Sequence, residues 1–206
     1  MRKLIFVCLI LCVFISACSS TPKVTRVSAD KQTDLTGRWN DSDVRYVCES
    51  LINSAINSPA IDAFVRDFMA KNNGALPKVI VGSFRNVTSE HTVDTTIIAN
   101  YMRVAIINSG KLAFVESGNV REEIREERFN QMFNASDATM AVQGHETGAN
   151  FMLTGEVNSM EERLDNTTVR AYFVKATMTN IETNVILWED FNSEIKKVIR
   201  QPRVKL

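Results

Sequence analysis

The residues best suited to chemistry lie near the start of the chain, at Ile15-Ser16-Ala17-Cys18. An aliphatic residue, two small residues and a cysteine in that order form a lipobox. The Cys18 sulfur would accept a diacylglycerol. Ile15, Ser16 and Ala17 would be read by the signal peptidase, which needs small side chains before the bond it cuts. Arg2 and Lys3 make a basic n-region, and Leu4 to Ile15 is an unbroken run of twelve apolar residues. That run suits the core of a secretory signal and falls short of the ~20 residues that span a bilayer. The alternative is an ordinary signal with a chance cysteine at the cut. Position, spacing and small residues together favour lipidation. Residues 1–17 are therefore expected to leave as a signal peptide, with Cys18 as the acylated first residue. Ser19, not Asp, follows the cysteine, which by the sorting rule of enteric-type bacteria favours the outer membrane, with the protein on its periplasmic face.

Elsewhere the chemistry is sparse. His91 and His145 are the two histidines, and neither has a second His at the spacing of a zinc-protease helix. No serine sits in a G-x-S-x-G setting, and no glycine-rich loop could cradle a phosphate. The expectation is no catalytic residue, no metal, no cofactor and no small-molecule substrate. Processing removes two basic residues from a chain with 24 basic and 24 acidic ones, so nothing points to nucleic acid. Cys8 and Cys12 leave with the signal, so Cys48 is the one free thiol and no internal disulfide can form. It lies on an apolar helical stripe, where a small buried hydrophobe is the expected role.

Three further features allow two readings each. The run Arg121 to Arg128, REEIREER, interleaves opposite charges at helical spacing. It is read as a solvated face with i,i+4 pairs, with a partner-docking surface as the alternative. Trp188 follows Val185-Ile186-Leu187 and is expected in the core. Trp39 stands in a non-periodic segment: it either packs that segment onto the domain, the favoured reading, or presents an anchor to a partner. On the second reading Arg38 and Trp39 are the candidate partner-binding residues.

The elements that must position these residues follow from periodicity. Ser19 to Asp34 is polar, carries Pro22 and reads as a tether of sixteen residues. Such a tether reaches at most about 50–55 Å and on average about 20–25 Å. The folded domain is expected from 35 to 200, with a basic tail at 201–206. Val44, Val47, Cys48, Leu51, Ile52, Ala55 and Ile56 recur at helical spacing, capped by Asp41 or Ser42. Pro59 opens a second helix, which Asn72-Asn73-Gly74 ends. Lys78 to Phe84 reads as a strand, Val93 to Ile106 as a helix and Leu112 to Val115 as a short strand. Asn119 would cap a charged helix, and Ala138 to Thr147 reads as another. Phe151 to Met160 is a strand; Thr167 to Thr179 and Val185 to Phe191 form a hairpin. The fold class is α+β: a mostly antiparallel sheet covered by helices.

The stretch Asp34-Leu35-Thr36-Gly37-Arg38-Trp39-Asn40-Asp41-Ser42-Asp43 resembles the LpoB family, outer-membrane lipoproteins that activate bifunctional penicillin-binding proteins. The resemblance continues in order through Lys78 to Val81 with Asn86-Val87-Thr88, Asn108 to Val115, Gly148 to Gly155, and Asn180 to Trp188. It implies a fold similar to the N-terminal domain of TolB. It also implies a non-catalytic role: binding a bifunctional penicillin-binding protein across the peptidoglycan and stimulating it, with the membrane held only through the lipid anchor. One departure stands out. Where the best-known members carry a long proline-rich tether, this one is short with a single proline. The competing reading is a periplasmic subunit of an outer-membrane secretion complex similar to the curli-export lipoprotein. That would need paired membrane strands of about 9–11 residues with alternating apolar positions. The best stretch, Met160 to Val169, is MEERLDNTTV and too polar for it.

Overall fold

A computed structural model describes residues 24–28, 31–142, 144 and 146–202. The signal, lipobox and lipidation readings at residues 1–18, His145 and the last four residues of the basic tail lie outside them. The chain divides into two compact units, Met1–Gln32 and Thr33–Leu206. The described residues of the first carry no helix or strand.

The second unit begins its regular structure with helix α1 (Asp41–Ile56). Its cap is Asn40, one residue before the expected Asp41 or Ser42. The Asn40 side chain accepts from the Ser42 and Asp43 amides at 3.0 and 3.1 Å, and the Asp43 carboxylate accepts from the Asn40 amide at 2.9 Å. This is a reciprocal capping box, with Asp in the place more often held by Glu or Gln. Helix α2 (Pro59–Lys71) starts with Pro59 in its first turn, as the sequence indicates, behind a Ser58 cap. Asn73 (φ 51°) and Gly74 (φ 81°) turn the chain out of it. Next come strand β1 (Lys78–Asn86), helix α3 (Thr95–Asn108), strand β2 (Ala113–Phe114) and helix α4 (Gly118–Asn134). The long strands β3 (Phe151–Leu164), β4 (Thr167–Asn180) and β5 (Ile186–Arg200) complete the unit.

The strands form one sheet in the order β2-β1-β3-β4-β5. The long pairings, β3 with β4 and β4 with β5, are antiparallel; β1 joins β3 and β2 in parallel. The fold is α+β and mostly antiparallel by paired length, as expected. Phe151, Leu153, Gly155 and Val157 alternate inward on β3, facing Val174, Ala176 and Met178 of β4. Helices α1, α2 and α3 contribute Val47, Cys48, Leu51, Ile61, Ile98, Met102 and Ile106 to the same core. Gly155 is fixed by close approach. A Cβ there would lie 2.5 Å from the Phe84 ring and 2.8 Å from the Lys175 carbonyl oxygen.

Several expected boundaries change. β3 runs four residues past Met160, because Glu161 and Arg170 face each other across the strands at 2.5 Å and hold the polar end in register. β5 runs to Arg200, nine residues past Phe191. Helix α4 begins at Gly118 behind Ser117, so Asn119 lies inside it and is not its cap. The described residues of 138–147 form no helix. Thr139 and Met140 close one turn on the Ser136 carbonyl, and Gly144 (φ 76°) takes the chain out of helical geometry.

Helix α4 buries none of its residues. Much of what ties it to the domain is polar: Glu146 accepts from Arg125 at 2.7 and 3.0 Å and from Arg128 at 3.1 Å. The Arg125 hydrogen bond holds the Glu146 carboxyl below its ordinary value. That contribution is complete above the ordinary carboxylate range and is lost as pH falls through the lowered value. A Glu146→Ala variant is expected to raise amide exchange across 118–134 while leaving β3 and β4 protected. Buffer more acid than the ordinary carboxylate range, or high salt, should do the same to the parent protein, read by hydrogen–deuterium exchange.

Candidate functional site

Residues 34–40 form a strap laid against α1, β4 and β5. At Gly37 the backbone takes φ 66°, and a Cβ would stand 2.3 Å from Ile199 Cγ1, so glycine alone fits. Two charged side chains, one half-buried and one buried, pin the strap. Lys197 Nζ reaches Asp34 and Asp43 at 2.6 Å each and the Arg38 carbonyl at 2.9 Å. Burial pushes the Asp43 carboxyl up despite the Lys197 hydrogen bond and the Asn40 amide, which pull it down. The second hub is Glu90. It accepts from the Tyr172 hydroxyl at 2.7 Å, from Arg170 at 3.0 Å and from the Trp39 amide at 3.3 Å. Arg170 also donates to the Gly37 carbonyl at 3.3 Å. Burial, followed by the hydrogen bond to Glu90, pushes the Tyr172 phenol well above its ordinary value.

Between the hubs lies Trp39. Its side chain is 8% exposed, and its ring meets Tyr172 edge-on at 5.2 Å. The favoured packing reading of Trp39 thus describes its position. Arg38 beside it is exposed. The outer edge of Trp39 lines a groove of about 250 Å³ between the starts of α1 and α3, walled by Val44, Ile97 and Tyr101 and rimmed by Asp41 and Asp94. Among the described residues, two buried side-chain atoms lack a hydrogen-bond partner: Trp39 Nε1, on a groove-lining residue, and Ser42 Oγ, next to groove-lining Asp41. Leaving a buried donor unmade costs about 1–3 kcal/mol, and such groups call for a reason.

The remaining candidates have structural surroundings. His91 is exposed, and no cluster of metal-ligating side chains occurs among the described residues. Trp188 is buried and donates to Ser54 at 3.1 Å. The Arg121–Arg128 run lies on α4, where Arg125 pairs with Glu122 at 2.5 Å and Arg125 and Arg128 clasp Glu146. Cys48 is 1% exposed, and burial pushes its thiol up to about 12. Its expected behaviour is resistance to thiol reagents at pH 8 until the fold is opened by denaturant, which a timed disulfide-exchange assay reads directly. Glu90 and Lys197 carry the strap, yet neither stands in a motif. Their strap partners lie 51 to 163 positions away along the chain.

Residues 43–193 match the family described as peptidoglycan-synthase activator LpoB, and the chain belongs to that family. Its members regulate peptidoglycan synthases and are not themselves the catalysts. Comparison with curated proteins finds no match. Among solved structures, the lipoprotein GNA1162 from Neisseria meningitidis is 17% identical, with 59% of this chain and 83% of that one covered, at a TM-score of 0.38. The LpoB C-terminal domain from Escherichia coli is 16% identical, covering 66% and 96%, at 0.34. The domain from Salmonella enterica is 16% identical, covering 66% and 93%, at 0.32. No helix among the described residues is long and apolar enough to cross a membrane.

Proposed function

We propose that this chain is an outer-membrane lipoprotein, anchored through Cys18, that binds a bifunctional penicillin-binding protein and activates it without catalysing a step itself. The observation that carries the reading is the family match over residues 43–193. The lipobox Ile15-Ser16-Ala17-Cys18 and the following Ser19 support the anchor and its membrane. The division of labour is a signal at 1–17, a lipidated tether at 18–34, the domain at 35–200 and a basic tail at 201–206. Activation is a matter of differential affinity: the domain binds the working conformation of the synthase better than the resting one and shifts its population. The tether adds little reach, so the contact surface of the partner must project toward the outer membrane.

The test uses the full chain in detergent with purified bifunctional synthases. Binding together with faster glycan polymerisation and more cross-linking is the expected result. No binding and an unchanged polymerisation rate would remove the reading.

A further inference from the structure

We propose that the groove beside Trp39 receives a protein segment of the synthase that carries an aliphatic or aromatic side chain next to a lysine or arginine. This rests on the activator reading above and assigns the surface on which it operates. The apolar side chain would enter between Val44, Ile97 and Tyr101, and the cation would sit at the rim formed by Asp41 and Asp94.

Ile97 and Tyr101 are one turn apart on α3 and remain 45% and 44% exposed, while Ile98, Met102 and Ile106 of the same helix are buried. The helix therefore presents a second apolar stripe beside the one it spends on the core. That stripe forms one wall of a concavity, the shape in which an anchor side chain is most effectively desolvated.

Charge selects the partner. Two carboxylates line the groove against one cation, Arg45, and Arg45 pairs with Asp41 at 3.1 Å. A basic side chain is attracted there, whereas the carboxylates of a cell-wall polymer are repelled. The walls also argue against a sugar ring. Trp39 is packed edge-on against Tyr172 and is 8% exposed, so Tyr101 is the one aromatic side chain of the groove open enough to stack.

The test measures affinity of the full chain in detergent for a purified bifunctional synthase, with thermal melts to verify folding. Tyr101→Ala and Ile97→Glu are each expected to weaken binding about tenfold or more. Asp94→Asn keeps the side-chain oxygen that caps Thr96 but loses the charge. It should weaken binding a few-fold and flatten its salt dependence. Phe129→Ser with Phe133→Ser, on exposed α4 positions, should bind as the parent does. If Ile97→Glu fails to fold, the other two groove variants decide. A parent protein that binds while all folded groove variants bind equally well overturns the groove assignment and leaves the activator reading standing. A parent protein that does not bind overturns both. Groove variants that keep synthase affinity but lose retention on purified sacculi also overturn it, and give the groove to the cell-wall polymer.

Discussion

A Glu90→Ala variant is expected to lose about 3–5 kcal/mol of stability, the cost of removing one partner from a buried charged network. Glu90 is 6% exposed and serves three donors from three separate parts of the chain: the Tyr172 hydroxyl, the Arg170 guanidinium and the Trp39 amide. Without it, the Tyr172 hydroxyl is left in a fully buried position. Arg170 keeps Glu161 at 2.5 Å, so its charge is not wholly orphaned, which favours the lower half of the range. Glu90→Gln keeps an acceptor but loses the charge and should cost about 1–2 kcal/mol. For a domain of this size about 2–4 °C is lost per kcal/mol, so thermal melts should separate the two variants clearly. A loss under about 1 kcal/mol in the alanine variant would mean that the strap is held by Lys197 and by packing, with Glu90 a bystander.

That network also marks where sequence reasoning stops. The apolar stripe of α1 is written in the spacing of Val44, Val47, Cys48, Leu51 and Ala55, and all five are buried. The hairpin of β4 and β5 follows from alternation and from the turn residues between Asn180 and Val185, where Asn184 takes φ 60°. These signals are local, so one sequence carries them. The parallel pairing of β1 with β3 is not local, since about 65 residues and two helices separate the two strands. The strap is the extreme case. Trp39 has no periodic neighbours, and the residues that fix its place lie far along the chain in a loop and two strands. The polar ends of β3 and β5 are hard to read for a related reason: charged residues such as Glu161 and Lys197 look like loop until their cross-strand or strap partner is known. Residues 138–147 show the reverse. Their alanine and methionine suggest a helix, but the stretch lacks a stripe with a core to cover.

The Asp34–Asp43 stretch lies, but for Asp43, before the family match at 43–193. It is where the chain becomes tied to the rest of the domain through Asp34, Arg38, Trp39 and Asp43. A segment of that composition would otherwise read as linker. Gly37 against Ile199 and Trp39 against Tyr172 give it two packing contacts that depend on the finished sheet. The groove exists only because the strap is in place, with Trp39 as its inner wall. Stability of the strap and capacity to dock a partner are therefore coupled, and Glu90→Ala is expected to weaken synthase binding as well as the fold.

The largest functional effect is expected from Cys18→Ala. Under the proposed lipidation, this variant loses the thiol that accepts the diacylglycerol. Each acyl chain contributes about 0.8 kcal/mol per buried CH₂, and two or more chains give stable anchoring. The variant should therefore leave the membrane fraction and fail to support synthase activity in cells. In solution its domain should bind the synthase as the parent does, because the strap, the groove and the core are built from residues 34 onward. Membrane fractionation, labelling with a radioactive fatty acid and an in vitro polymerisation assay together separate the two consequences. Fatty-acid labelling of the variant equal to that of the parent would overturn the assignment of Cys18. Loss of synthase binding in solution would instead mean that the tether, and not only the domain, takes part in the contact. The distinction matters because a tether of sixteen residues spans on average only about 20–25 Å. At that length the proposed lipid anchor would do more than keep the protein in the envelope: it would confine the domain to a thin layer beside its membrane, where the groove would have to find the partner.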